Sequence, residues 1–127
     1  MIFLHLCKSE NLINMALIKS ISGIRGTIGG KPGESLSPLD IVKFAAAFGT
    51  WIQVRQMKIG SKVIVGRDAR KSGSMVNDLV ITTLRNLGID VIDLDYSTTP
   101  TVEMYVISSK AGGGIIITAS HNPAEWN

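Results

Sequence analysis

The sequence predicts an α/β fold in which a mainly parallel or mixed sheet carries helices on both faces. Short apolar runs alternate with segments of helical periodicity about ten residues long or longer, the pattern of βαβ units. Three of these runs are followed by short polar loops, with the sequences GRDARKSG, DYSTTP and TASHNP. Because ligands bind beyond the carboxyl ends of parallel strands, these three loops should open together at a binding edge.

Each element is predicted from local signals. Ser37 can cap a helix, Pro38 suits the first helical position, and Asp40 favours the positive end of the helix dipole. Gly88 supplies a helix stop. The expected strands are Ala16–Ser20, Lys62–Gly66, Ile89–Leu94 and Ile115–Thr118. The expected helices are Pro38 to about Met57, Ser74–Leu87 and Thr101–Ser109, with loops over Ile21–Ser37, Arg67–Gly73 and Asp95–Pro100. Met104 and Tyr105 are expected to pack in the third helix, and Asp93, Asp95 and Glu103 to be solvated.

Length and composition indicate one soluble globular domain. The 127 residues are 45% hydrophobic and 18% charged, and no apolar run reaches the length of a membrane span. The single cysteine, Cys7, excludes an internal disulfide and fits a reducing, cytoplasmic compartment. Residues 1–14 are expected to be an extension outside the fold, because no cap or turn links them to it. The domain is expected to cover residues 15–127, with Met15 as a plausible natural start.

Basic residues are concentrated before and within the GRDARKSG loop. Six of them face only one acid, Asp68, between positions 55 and 71: Arg55, Lys58, Lys62, Arg67, Arg70 and Lys71. A nucleic-acid surface is one interpretation. A helix end followed by a phosphate-facing loop is favoured, because no nucleic-acid-binding motif or interleaved aromatic residues accompany the charge. Within that loop, Asp68 and Arg70 are expected to fix the loop as an ion pair rather than to contact phosphate.

The most informative segment delivers a serine directly after a buried strand. Ser120 could act there as a nucleophile or phosphoryl carrier, provided that other groups stabilise the charge. Thr118, His121 and Asn122 could fix the loop or donate hydrogen bonds to it. On spacing alone, a solvated serine in an Asn-Pro turn is the better interpretation. A serine hydrolase is disfavoured, because adjacent Ser and His side chains rarely point at each other and His5 is the only other histidine.

Three segments resemble motifs of the α-D-phosphohexomutases, which move phosphate between the 1- and 6-positions of hexoses. Thr118–Pro123 (TASHNP) resembles their phosphoserine loop. Ser22–Gly26 (SGIRG) resembles their N-terminal Ser-Gly-x-Arg-Gly loop, and Gly66–Arg70 (GRDAR) their Gly-x-Asp-x-Arg loop. The three motifs occur in the family's order, and the resemblance covers about residues 17–127.

The resemblance implies the first of four domains, with its catalytic residues Ser120 and Arg25. Ser120 corresponds to the serine that is phosphorylated and whose phosphate oxygen is a ligand of the catalytic Mg²⁺. Arg25 corresponds to the arginine near the transferring phosphoryl group. Ser22, Gly23, His121 and Asn122 belong to the loops expected at the substrate phosphate, with His121 shaping its loop.

The resemblance also implies what lies elsewhere in the parent. The other Mg²⁺ ligands and the sugar-binding loops belong to the family's remaining domains, so these domains are the expected partners. The substrate would be a phosphosugar, with a hexose bisphosphate as activator and intermediate. The 127 residues alone are expected to be inactive, a non-catalytic folded fragment.

The residue that precedes Ser120 bears on the choice of substrate. Glycine in place of Ala119 is common in the phosphomannomutase/phosphoglucomutase branch of the family. The resemblance therefore favours interconversion of glucosamine 6-phosphate and glucosamine 1-phosphate, with the phosphomannomutase/phosphoglucomutase reaction as the alternative.

Overall fold

A computed structural model describes residues 16–20, 22–56 and 61–127. In this part of the chain the elements are β1 (Leu17–Ser20), β2 (Gly23–Gly26), α1 (Pro38–Gln56), β3 (Lys62–Arg67), α2 (Gly73–Asn86), β4 (Asp90–Tyr96), α3 (Thr99–Ser108) and β5 (Gly113–Ile117). The predicted extension over residues 1–14 and the predicted helix end at Met57 lie outside the described residues.

The main sheet has the strand order β4-β3-β5, and both pairs are parallel. Its central strand is the apolar run that the sequence indicated. Val63, Ile64 and Val65 are completely buried, as expected of a strand covered on both faces. The parallel sheet of the predicted α/β fold is confirmed.

Helices cover both faces of this sheet. At Gly113, an added Cβ would lie 3.0 Å from Ile52 Cδ1 of α1. At Gly114, on the opposite face, it would lie 2.7 Å from Val106 Cγ2 of α3. The first two residues of β5 are thus enclosed between two helices. Helix α2 packs beside α1 on the face that α1 covers.

The start of α1 confirms the predicted cap. The Ser37 hydroxyl accepts a hydrogen bond from the Asp40 N–H (3.3 Å), and the Asp40 carboxylate accepts one from the Ser37 N–H (3.3 Å). This reciprocal pairing is a capping box in which aspartate takes the place of the usual glutamate or glutamine, three residues after the serine. The hydrogen bond from the Ser37 hydroxyl, followed by that from the Gly33 N–H, lowers the pKa of Asp40.

The predicted loop over Ile21–Ser37 is wrong in its first part. Gly23–Gly26 forms strand β2, which pairs antiparallel with β1 so that Ile18 lies opposite Arg25. Because glycines lie at both ends of this short segment, its composition predicts a loop rather than a strand. Strand β1 itself is confirmed.

The loop before α3 is shorter than predicted. Strand β4 continues to Tyr96, and α3 begins at Thr99 because the Thr98 hydroxyl caps it, accepting from the Thr101 N–H at 3.3 Å. The expected packing of Met104 and Tyr105 is wrong, since they are 65% and 41% exposed. The helix instead buries Val102 against the sheet.

Within the described ranges, none of the three helices is long and apolar enough to cross a bilayer.

Candidate functional site

The three polar loops meet at the carboxyl edge of the sheet, as the sequence predicted. The Thr118 hydroxyl donates to the Asp68 carboxylate at 2.6 Å, which joins the loop after β5 to the loop after β3. The Ser97 N–H donates to the Arg67 carbonyl at 2.9 Å, which joins the loop after β4 to the same segment. Parallel strands in adjacent positions therefore bring these distant stretches of sequence to one edge.

Ser120 lies on a fixed backbone with an exposed side chain. Its N–H donates to the Thr118 hydroxyl at 3.0 Å, and the Asn122 N–H donates to the Ala119 carbonyl at 3.0 Å. The backbone at Ser120 is left-handed, with φ of 54°. Its hydroxyl oxygen lies 3.3 Å from His121 Nδ1, so the two adjacent side chains do approach each other here. Both are exposed, and the hydroxyl is open to a reactant.

Arg70 organises the serine loop. Its guanidinium donates to four carbonyl oxygens of one segment: Ser120 (2.7 Å), Asn122 (2.8 Å), Pro123 (2.8 Å) and Trp126 (3.3 Å). The predicted pairing with Asp68 is confirmed, with Arg70 Nε 3.4 Å from the carboxylate. The four carbonyl contacts go beyond that prediction, because they join residues 50 to 56 positions apart that share no local sequence signal.

The end of the chain returns to β2. The Gly26 N–H donates to the Asn127 carbonyl (2.8 Å) and the Asn127 N–H to the Gly26 carbonyl (2.9 Å). The Asn127 side-chain amide donates to the Ser72 hydroxyl at 2.8 Å, just before α2. Asn127 thus connects β2 to the segment just before α2, a role that sequence reasoning missed because a single polar residue offers no pattern.

The residues predicted from the SGIRG motif lie on the β1–β2 hairpin. Ser22 lies in the connection between the strands and Gly23 begins β2, and both are exposed. The Ser20 hydroxyl lies 3.0 Å from the Ser22 hydroxyl and donates to the Gly23 carbonyl at 3.1 Å. Arg25 is half-buried in β2, next to the glycine that pairs with Asn127. Its guanidinium has no ion pair or hydrogen bond with any described residue. The structure therefore brings the strand of Arg25 to the segment that follows the serine loop, and no described residue engages its charge.

Arg67 does not face open solvent as a phosphate ligand would. Its guanidinium lies 2.6 Å from the Asp95 carboxylate and stacks 4.2 Å above the ring of Tyr96. The side-chain interaction with Tyr96 raises the pKa of Arg67, and the carboxylate of Asp95 acts in the same direction. Asp95 was expected to be simply solvated, but it holds this cation.

Acidic side chains do not assemble a metal centre in the part of the chain that is described. No group of three His, Cys, Asp or Glu side chains is placed to hold an ion there. The carboxylate of Asp68 is already engaged by Thr118 and Arg70.

Comparisons with known proteins agree with this geometry. A phosphoglucomutase/phosphomannomutase of Thermococcus kodakarensis is 41% identical over 104 residues, which cover 80% of this chain and 23% of that protein. A phosphoglucosamine mutase of Aliarcobacter butzleri is 38% identical over 98 residues, covering 77% and 22%. The crystal structure of a phosphoglucomutase/phosphomannomutase family protein of Burkholderia thailandensis superposes with a TM-score of 0.68 at 28% identity, covering 82% and 23%.

The chain spans less than a quarter of the length of these relatives. Residues 17–127 match the family described as phosphoglucomutase/phosphomannomutase, alpha/beta/alpha domain I. The match contains all three motifs and the sheet edge that they share. The chain therefore belongs to the phosphoglucomutase/phosphomannomutase family of phosphohexomutases, as its domain I.

Proposed function

We propose that Ser120 is the phosphoserine of a parent phosphohexomutase, and that the parent interconverts glucosamine 6-phosphate and glucosamine 1-phosphate. The observation that carries the proposal is the exposed hydroxyl of Ser120 on a loop whose backbone is held by Thr118 and Arg70. Such a hydroxyl can receive and return a phosphoryl group without rearrangement of the loop.

The proposed reaction exchanges two phosphoryl groups. The bond between phosphorus and the Ser120 oxygen breaks while a bond from phosphorus to a sugar hydroxyl oxygen forms, and the proton of that sugar hydroxyl ends on the Ser120 oxygen. The sugar, now a bisphosphate, reorients and returns its other phosphoryl group to Ser120 by the reverse exchange. A hexose bisphosphate is therefore both the intermediate and the compound that primes an unphosphorylated enzyme.

Phosphoryl transfer depends mainly on positioning and on stabilising negative charge. The guanidinium of Arg25, which bonds to none of the residues that the structure describes, supports its proposed role beside the transferring group, since guanidinium binds phosphoryl oxygens with two parallel donors. Ser22, Gly23 and Asn122 contribute the neighbouring loop surface, and the ring of His121 lies beside the serine oxygen.

Mg²⁺ is part of the proposal through Ser120 alone. When bound, the ion neutralises charge on the phosphoryl oxygens. A phosphoryl oxygen on the exposed Ser120 is the hard ligand that this ion prefers. The other ligands would come from the remaining domains of the parent, which are the proposed partners and would carry the sugar-binding loops.

Ala119 bears on the choice of substrate through the loop rather than through contact. Ala119 is 1% exposed beneath Ser120, so the alanine does not itself face a sugar. The relatives include both phosphoglucosamine mutases and phosphoglucomutase/phosphomannomutases, and the second reaction is the alternative. The proposed setting is the cytoplasm, and residues 15–127 are proposed as the domain, with the chain by itself inactive.

The test uses the full-length parent. Intact mass and peptide mapping should place one phosphate on Ser120, and Ser120→Ala should remove both that phosphate and nearly all turnover of glucosamine 6-phosphate. Ser74→Ala, at an exposed serine of α2, is the matched control and should keep both. A phosphate on another residue, or normal turnover by Ser120→Ala, would contradict the proposal.

A further inference from the structure

We propose that Arg70 is a positioning residue that aims the backbone N–H of His121 at the phosphoryl group of Ser120. The inference rests on the proposed function, since it requires a phosphoryl group on Ser120. It assigns a donor to that group from within this domain, and a residue that directs the donor.

Ser120 is held in a strained backbone conformation. Its φ of 54° lies in the left-handed region, which costs an L-residue about 1–2 kcal/mol and persists where surrounding contacts impose it. Two contacts impose it here. Thr118 holds the N–H on one side of Ser120, and Arg70 holds the carbonyl on the other, at 2.7 Å.

The peptide group between Ser120 and His121 has a direction set by Arg70. None of the described peptide bonds is cis, and in a planar trans peptide the carbonyl and the N–H point in opposite directions. Because Arg70 draws the Ser120 carbonyl toward the protein, the N–H of His121 points away from it. This N–H donates to no described residue, in contrast to the neighbouring Asn122 N–H, which donates to the Ala119 carbonyl.

The geometry of the four contacts requires an arginine at position 70. One terminal nitrogen of Arg70 donates to the carbonyls of Ser120 and Asn122, and the other to those of Pro123 and Trp126. A lysine ammonium is a single point charge and cannot reproduce this planar fork. Asp68 orients the fork, with its carboxylate 3.4 Å from Nε.

The direct test compares amide signals of the wild-type parent in its phosphorylated and dephosphorylated forms. On phosphorylation, the His121 amide proton should move downfield, as expected for a new hydrogen bond to an anionic acceptor, and by more than that of Asn122. Equal or smaller movement of the His121 amide would overturn the assignment, and no variant needs to fold for this result.

The variant test is Arg70→Lys in the same protein. We expect kcat to fall by about 10²-fold, the scale of a 1 Å misplacement, with KM changed less than about twofold because Arg70 does not touch the sugar. The ³¹P signal of the phosphoserine should also shift. Arg85→Lys, at an exposed position of α2, is the matched control and should change none of these.

Added guanidinium ion should restore part of the kcat of Arg70→Gly, whereas Arg70→Lys should gain nothing from it. Normal kcat and an unchanged ³¹P signal in Arg70→Lys would overturn the inference alone. A wild-type parent without phosphate on Ser120 would instead overturn the proposed function, so the two failures are distinguishable.

Discussion

The serine loop and the β1–β2 hairpin occupy the same edge of the domain but are held in different ways. The loop is fixed by Arg70 and Thr118 through contacts that reach 50 residues back along the chain. The turn of the hairpin is held by hydrogen bonds of Ser20 to residues two and three positions away. One region carries a hydroxyl at a set position, and the other carries a guanidinium that pairs with no residue in the described part of the chain. The proposed reaction needs both properties, because the phosphoryl carrier must stay in place while the sugar changes its orientation.

The largest expected effect comes from removing the free guanidinium. In the full-length parent, Arg25→Ala should lower kcat by about 10²–10³-fold, the loss typical of one donor to a developing charge. Because Arg25 has no hydrogen bond to the serine loop in the described structure, Ser120 should still hold its phosphate. Steady-state kinetics and intact mass on the same sample measure the two properties separately.

Arg55→Ala is the matched control for Arg25→Ala, since Arg55 stacks on Trp51 at 5.0 Å and lies in the last turn of α1. It should keep its activity. Loss of phosphate in Arg25→Ala would show that the hairpin and the loop are one unit, against the contrast drawn here.

A smaller effect, on stability, should separate the two ends of β2. An added Cβ at Gly26 would lie 2.8 Å from the Leu36 backbone nitrogen and 2.9 Å from the Ala16 carbonyl, so Gly26→Ala overpacks a rigid region and should cost about 1–3 kcal/mol. At Gly23 the space is open but φ is 128°, so Gly23→Ala should cost about 1 kcal/mol, the low end for backbone strain, because no steric clash adds to it.

Urea unfolding of the 127-residue chain measures both values for the glycine variants. Gly26→Ala should be the less stable of the two. The opposite order would mean that the turn, rather than the end that pairs with Asn127, fixes the hairpin.

The smallest expected effect lies away from the edge, at the α1 cap. The hydrogen bond from Ser37 lowers the pKa of Asp40, so its stabilisation is complete above the unfolded-state value, about 3.9, and is lost as pH falls through the lower folded-state value. Asp40→Asn should therefore flatten the acid limb of a plot of unfolding free energy against pH, relative to the exposed control Asp78→Asn. A parallel acid limb in the two variants would contradict the cap assignment.

Local signals in the sequence predicted the main sheet and its helices. The apolar run at Val63–Val65, the Ser37–Asp40 cap and the stop at Gly88 each act within a few residues. Strand β2 was not predictable in this way, because its pairing with β1 and Asn127 depends on tertiary contacts rather than on the composition of GIRG. The exposed Met104 and Tyr105 were misjudged for a related reason, since apolar character alone does not say which face of a helix meets the sheet.

The candidate site was predicted in its residues but only partly in its arrangement. Thr118 and Asp68 lie in the identified motifs, and the sheet topology explains why they meet. The number of carbonyls that Arg70 binds and the bridging position of Asn127 could not be predicted. Both depend on the path of residues 120–127 through space, which no periodicity encodes.

The separation between Arg70 and the loop that it holds also orders events during synthesis. Ser120 follows Arg70 by 50 residues, so at about 5–20 residues per second the guanidinium leaves the ribosome about 2.5–10 s before the serine. Helix α2, strand β4 and helix α3 are translated within that interval, and β3 is translated before it. The segment that bears Ser120 thus emerges after Arg70 and the strand that precedes it are already outside the ribosome.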